Sequence, residues 1–585
     1  MQKNVPMATA KVFDCKQYSG KSPVAPLCGR IAKLGIALVI VNFVSVLPAW
    51  DVEHDEVAQL TGEFLPREVK ATFDFDDFAI LMANCHFPDM TEWPCENGKR
   101  RFHNLEELAK GVGEANARAF VSAGFGNSYW FHSPRGRAAL MTVLARAFGS
   151  GDHASAAFCI SVLTHAISDE GALNHPPLLG FFRYSTLPGI DFSMRKVEEG
   201  AKNVFGFRSD GHVVHLVRQR MKDYCPKVPA GSFEDAVLSH SVDVAVNHCA
   251  LTGEIEGAIA FSSQPEAERA LVDLVYRQVS TLEDIVLTCW THRSRDVALP
   301  DKEFDSKFRA KANEVMRKLD PRRQSVFAGI FDESLNPVGA KATVGIVCDA
   351  YARAFGTISF PGRILSAAAG RTLRANGYAI KGLAYWEVAK GFPDPSSVPV
   401  VFVCIGGAGY MCPGADPSFA AAAKAYRRKG GKFIVVGGED TRDITGFATT
   451  MKRRDNKDVP VSSKWHRAEA ADACSMALVA TGLTPRLGKG RYPFFRDPNF
   501  DGFCKPVCRM ETPVGDKLLE LDNGRERFPV AVRKDGVVWM PEYALMPYLF
   551  VRDDPNLPLA ALTLDEFGSK VILDSIESLL LRCRD

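Results

Sequence analysis

Apolar positions follow two different rhythms along this chain. Between residues 50 and 322 they recur at steps of three and four in Ala-, Leu- and Glu-rich stretches, which predicts helices over 104–123, 136–148, 154–169 and 233–250. Beyond residue 339 short apolar runs at 343–349, 398–405 and 432–436 alternate with helix-like stretches at 361–376 and 417–428, the pattern of a parallel sheet flanked by helices. The stretch Phe331 to Pro337, FDESLNP, is polar and ends in a breaker, so the boundary is placed there. The expected organisation is a leader at 1–49, a helical domain at 50–330 and an α/β domain at 338–585, hence a multidomain chain of all-α and α/β parts.

The leader is read from a third pattern. An apolar run from Leu34 to Val46 follows Arg30 and Lys33, is shorter than the roughly 20 residues of a membrane-spanning helix, and is followed by Leu47, Pro48 and the small Ala49. This predicts a cleaved signal peptide, a secreted or lumenal protein with no stable membrane span, and a mature chain that begins at Trp50. Thirteen of the 15 cysteines come after residue 50 with no CxxC pair, so in an oxidising compartment some are expected to form disulfides.

Composition changes the picture little. The formal net charge is +2, and the first 49 residues hold six basic groups against one acidic group, so the remainder is close to neutral. A broad basic footprint for duplex nucleic acid is absent from the bulk composition. Histidine is more informative, because 12 of the 13 lie before the boundary and only His466 lies after it. Imidazole-based metal chemistry therefore belongs to the helical half.

Within that half, His165 and Asp169 share a helix face, and His175 follows just before Pro176 and Pro177, which should end the helix. Two imidazoles and a carboxylate are donors that zinc favours in hydrolytic sites. The spacing resembles the zinc-dependent phospholipase C and P1/S1 nuclease superfamily, whose members carry His-x3-Asp-x5-His on a helix of an all-α domain. The resemblance implies up to three zinc ions and a ligand role for the α-amino group of a mature N-terminal Trp, here Trp50, with His54 close behind. It further implies Asp89 as a bridging carboxylate and His132 as a ligand, with His86, His103 and His153 as alternatives. His240 and Asp243 are the candidates for the last pair, one residue closer together than the family pattern, with His212, His215 and His248 as substitutes. Asp89 and Asp169 are assigned the catalytic roles.

The activity implied is hydrolysis of a phosphodiester by metal-activated water. The substrate is a phospholipid or a single-stranded nucleic acid, because Trp93, Trp130, Phe131 and the run 178–182 can furnish either an apolar rim or stacking platforms. Ser168 before the Asp, and Ala-Leu-Asn before His175, differ from nuclease-type members and lean the reading to phospholipase C. A secreted binding protein that has lost catalysis is the rival. In the second half, Val400 to Gly407 and Gly430 to Glu439 resemble class I glutamine amidotransferase-like domains of the type at the N-terminus of some biotin ligases, a flavodoxin-like fold. The turn that should hold the nucleophilic Cys reads Gly437-Gly438-Glu439, and Glu542 stands where a His is expected, so this domain is expected to be non-catalytic.

Overall fold

The computed structural model describes residues 51–90, 105–122, 131, 133–171, 212–248, 250–251, 254, 264–324, 327, 329–348, 362–405, 417–437, 449–450, 477–481, 486–493, 509–510, 515–522, 527–540, 545, 549–551, 560–564 and 566–581. Val52–Asp585 forms one compact unit. Among the described residues every element before Thr343 is helical: α1 (Asp51–Phe64), α2 (Arg67–Lys70), α3 (Phe75–Ala83), α4 (Phe87–Met90), α5 (Leu105–Val112), α6 (Glu114–Ser122), α7 (Pro134–Ser150), α8 (His153–Gly171), α9 (His212–Met221), α10 (Phe233–Val242), a π-helical turn (Asp243–His248), α11 (Gln264–Thr291) and α12 (Glu303–Leu319).

The centre of this half is α8. Its side chains from Ser155 to Ser168 are all buried, and it packs against α3, α5, α7 and α11; a helix covered on every side belongs at the middle of a bundle. Local chemistry fixes its approach. Ser133 caps α7 through the Gly136 N–H at 3.0 Å with Pro134 at the first helical position. Gly151 closes α7 in the left-handed region at φ 73°. Asp152 then accepts from the Ser155 N–H at 3.1 Å and opens α8. The helix expected over 104–123 is instead two, because Gly113 turns the chain at φ 79°.

The strands are β1 (Thr343–Cys348), β2 (Ala379–Ala384), β3 (Val400–Ile405), β4 (Lys432–Gly437), β5 (Thr449–Thr450), β6 (Ala477–Thr481), β7 (Lys489–Pro493), β8 (Arg509–Met510), β9 (Asp516–Asp522), β10 (Arg527–Lys534), β11 (Val537–Met540), β12 (Leu549–Val551) and β13 (Ala560–Leu564). The helices among them are α13 (Gly362–Ala375), α14 (Tyr385–Val388), α15 (Pro417–Arg428) and α16 (Glu566–Leu580). Nine strands form one mixed sheet in the order β2-β1-β3-β4-β11-β10-β9-β6-β7. The first five are parallel, and the apolar runs of β1, β3, β4 and β11 are buried, whereas the edge strand β2 exposes Lys381. The remaining joints are antiparallel, so the expected parallel sheet accounts for only one side. The reversal has a local cause: Asp535 and Gly536, at φ 46° and 76°, form the two-residue turn that folds β11 back on β10.

The two halves share a polar seam. Arg322 bonds Asp320 at 2.8 Å and Glu387 of α14 at 3.0 Å. Asn336 accepts from the Ile380 N–H at 2.9 Å and donates to the Ile380 carbonyl at 3.1 Å, extending the edge of β2. Arg374 of α13 donates to the Gly329, Ile330 and Asp332 carbonyls. Cys159, Cys225 and Cys289 are thiols, and burial pushes the Cys159 and Cys289 thiols far up, so the disulfides expected of an exported chain do not involve these three. Among the described residues no helix is long and apolar enough to cross a membrane.

Candidate metal centre

The centre is assembled from three places in the chain. His54 and Asp55 lie on the first turns of α1, His165 and Ser168 lie on the last turns of α8, and Cys85 and His86 lie in the connection between α3 and α4. The His54 and His165 rings stack at 4.2 Å between centroids, 28° from parallel, and both residues are buried. The His86 ring meets His54 edge-on at 5.6 Å. Asp55 Oδ1 accepts from the Cys85 thiol at 3.2 Å and from His86 Nε2 at 3.0 Å. Ligand atoms of Asp55, Cys85 and His86 all lie within 4.8 Å of one another, a spread that one ion can span.

Hydrogen bonds orient the rings. Ser168 donates its hydroxyl to the His165 carbonyl at 3.1 Å, so its oxygen accepts from His54 Nδ1 at 2.6 Å. That bond leaves His54 Nε2 as the nitrogen that carries a lone pair. By the same logic His86, donating Nε2–H to Asp55, carries its lone pair on Nδ1. Gln278 of α11 donates to the Ser168 carbonyl at 3.0 Å and ties the end of α8 to the long helix behind it. Neutral imidazole is the form that binds metal. The site runs from a buried wall, His54 and His165, to an accessible side where Asp55 and His86 keep side-chain exposures of 34% and 24%. A ligand can therefore reach it.

The remaining sequence-derived residues are placed as follows. Asp169 lies one turn beyond His165 on α8 and Asp89 lies on α4, but both side chains fall outside the described residues. Trp50, His132 and His175 also lie outside them. His240 and Asp243 face α11. His240 is buried and bonds Thr288 Oγ1 at 2.9 Å, and burial pulls its pKa down to about 4 despite the opposing pull of Asp243. Thr288 lies ten positions beyond Gln278, ~15 Å along the helix axis. His240 therefore meets α11 at a level remote from Gln278 and the end of α8.

Asp243 meets α11 at Thr281, less than one turn from Gln278, with an oxygen-to-oxygen distance of 3.1 Å. It also accepts from Asn247 at 2.5 Å and from the Arg277 guanidinium. Burial pushes its pKa up, but the Arg277 guanidinium and these hydrogen bonds help hold it below the ordinary carboxylate value. The histidine that the π-helical turn sets beside Asp243 is His248, five residues on, at 3.9 Å. His248 is fully buried, and burial draws its pKa down to about 4. Asp243 and His248 are thus the acid and imidazole that share this surface.

Asp55 and Cys85 are the residues that sequence reasoning missed. The available signals were two adjacent pairs, His54-Asp55 and Cys85-His86, which place two donors at one backbone position each. Neither carries a helical spacing, because their meeting depends on how α1 crosses the end of α3. Comparison with protein-family models, with curated proteins and with solved structures found no match.

Proposed function

We propose that the helical half is a zinc-dependent phosphodiester hydrolase, phospholipase C-like in its substrate preference, whose centre is built around His54 and His165. The observation that carries this reading is the stacking of His54 on His165, residues 111 positions apart in the chain, beside the Asp55, Cys85 and His86 group. The donors fit zinc, since imidazole, thiolate and carboxylate are the groups it takes, and the same set is poorly suited to calcium or magnesium. His54 Nε2, His165, Asp55, Cys85 and His86 would hold the metal. Asp169 and Asp89 are assigned the bridging and water-orienting roles, and Trp50 contributes its freed amine after removal of the leader. Zinc bound there supplies Lewis acidity that brings water's ionisation toward neutral pH and offsets charge on phosphoryl oxygens.

The chain's own groups do the rest. Ser168 holds the His54 ring in one tautomer, and Gln278 holds Ser168. Asp55 accepts from both the Cys85 thiol and His86 Nε2 and so holds these two donors toward each other. The sheet-containing half is assigned a flavodoxin-like, non-catalytic scaffold, supported by the parallel order β2-β1-β3-β4 and by Glu439 where a nucleophile would stand. Secretion is part of the same proposal, supported by the apolar run before Ala49.

The test is metal content of the protein as secreted, its N-terminal residue, and release of phosphorylated headgroup from phosphatidylcholine vesicles compared with cleavage of single-stranded DNA. Bound zinc, a Trp50 N-terminus and chelator-sensitive headgroup release are expected. Cleavage of DNA alone would move the assignment to the nuclease type. A metal-free protein inert on both substrates would overturn it.

A further inference from the structure

Helix α3, with the sequence FDDFAILMA, has an anchored side and an exposed side. On the anchored side Leu81 is buried and its carbonyl accepts from Ser161 of α8, and Asp77 completes a capping box with Asp74 at 3.0 Å. Residues 75, 78, 79 and 82 fall on the opposite side, because steps of three, four and seven return to one helix face. There Phe75 is 68% and Met82 38% exposed, Ala79 is exposed between them, and Phe78 is half-buried beside Gly62. A lone exposed apolar residue is ordinary on a protein surface, but a stripe of four along ~10 Å of helix marks an interaction face.

Two further observations indicate what the stripe meets. The first is position. The stripe ends where the candidate metal centre begins, since the Cys85 thiol that bonds Asp55 also reaches the Met82 carbonyl at 3.5 Å, and His86 follows directly. The side of the centre on which Asp55 and His86 keep their exposure therefore adjoins the C-terminal end of the stripe. The second is charge. Asp74 and Asp76 are exposed at the head of the helix, and the helix itself contains no Lys or Arg. Lys70, the basic residue next before it in the chain, is drawn back to the Glu63 carbonyl at 2.6 Å. An apolar stripe headed by carboxylates complements choline ammonium groups lying over acyl chains, and it repels an anionic lipid surface.

We propose that α3 lays its outer face on a phosphatidylcholine surface, with Phe75 and Met82 at the boundary of headgroups and acyl chains, so that the metal centre is held beside the lipid phosphodiesters. A nine-residue helix is too short to cross a bilayer and lies in its plane. The Asp74 capping box, and Asn84 donating to the Ile80 carbonyl at 2.7 Å, hold the helix in shape before contact, so little ordering entropy is lost on docking. The choice of a lipid surface over another apolar partner rests on the phospholipase reading of the neighbouring centre.

Co-sedimentation of the full chain with vesicles of phosphatidylcholine, and separately of phosphatidylserine, tests it, with analytical ultracentrifugation of the protein alone. Binding to phosphatidylcholine is expected, with weaker binding to phosphatidylserine. A chain carrying both Phe75→Ser and Met82→Ser should bind phosphatidylcholine vesicles about tenfold less tightly or worse, since burial of one such side chain is worth at least that factor. Its urea midpoint should hold, because both side chains are exposed. Ala79→Glu, which sets a charge in the middle of the stripe, should weaken binding likewise and serves if the double variant does not fold. Co-sedimentation reads binding without turnover, so a protein that docks through this stripe yet releases no headgroup sustains the docking and fails the hydrolase reading. Failure of the unaltered chain to bind phosphatidylcholine vesicles overturns the proposal. So does binding that the variants retain, tighter binding to phosphatidylserine, or a dimer that the double variant dissociates, which would give the stripe to a second copy of the chain.

Discussion

Buried charge is handled differently in the two halves. In the sheet-containing half Asp574 is 1% exposed and saturated: it accepts from the Arg486 and Leu487 N–H groups at 3.1 and 2.9 Å and faces the Arg486 guanidinium. Asp522 is met by Arg491 at 2.5 Å and Arg527 at 2.9 Å. In the helical half Glu283 is fully buried and neither carboxyl oxygen has a hydrogen-bond partner among the described residues, while His54 and His165 are buried ring against ring. A buried carboxylate with a full set of donors is architecture. A buried carboxyl such as Glu283, with no hydrogen-bond partner among the described residues, and a pair of stacked buried imidazoles are where chemistry is to be sought.

The largest effect that can break this contrast is on activity. His165→Ala should lower phosphodiester hydrolysis by at least ~10³-fold, by loss of a ligand, and should reduce zinc content in parallel; full activity with unchanged zinc would show the helical cluster to be merely structural. Next comes Asp574→Ala, which orphans the Arg486 and Leu487 backbone N–H groups. With the Arg486 guanidinium still bonded to Glu577, the loss is that of the two N–H groups, so it should cost about 1–3 kcal/mol in urea unfolding and leave zinc content untouched. A neutral result would mean that the saturated network is not structural after all.

Ser168→Ala removes the acceptor that fixes the His54 tautomer. Zinc affinity should weaken by roughly 10–100-fold, measured by competition with a chelating dye, while the fold is retained. Glu283→Gln sharpens the contrast through pH. Burial holds the Glu283 pKa well above the ordinary range, with Asp284 adding to it, so the folded state favours the protonated acid. Its stabilising contribution is complete below the unfolded pKa and is lost as pH rises through the folded one. The Gln variant should therefore unfold at the same or higher urea concentration at pH 8 and show a flatter pH dependence above pH 5.

The smallest effect is at Asp305, where burial lifts the pKa to about 6 against the pull of Arg135. Stability from this group is present below about pH 4 and fades as pH rises through about 6. Asp305→Asn should gain on the unaltered protein across that window by on the order of 1 kcal/mol, discounted for its partial exposure. Equal urea midpoints for both proteins at pH 4 and pH 7 would contradict it.

Much of the secondary structure was legible because it is local. Helices α7 and α8 follow the expected 136–148 and 154–169, extended by caps that the residues Ser133, Pro134, Gly151 and Asp152 encode themselves. The parallel strands β1, β3 and β4 sit on the apolar runs that announce them. Where a local signal was passed over, the reading failed locally: Gly113 divides a helix, and Asp535-Gly536 turns an expected parallel sheet into a mixed one. The candidate metal centre was legible only in part. His54 and His165 stand out through a resemblance in spacing, whereas the Asp55 and Cys85 contact leaves no periodic trace.

The sequence by itself determined which segments become helix or strand and where many of them stop, because propensity, capping and turn chemistry act within a few residues, and it places 12 of the 13 histidines before residue 331. Tertiary structure decided which donors meet. It set Cys85 and His86 against Asp55 and paired Asp243 with His248 rather than with His240. Those outcomes depend on how helices cross and on where a π-helical turn shifts the register, and packing of distant segments fixes both.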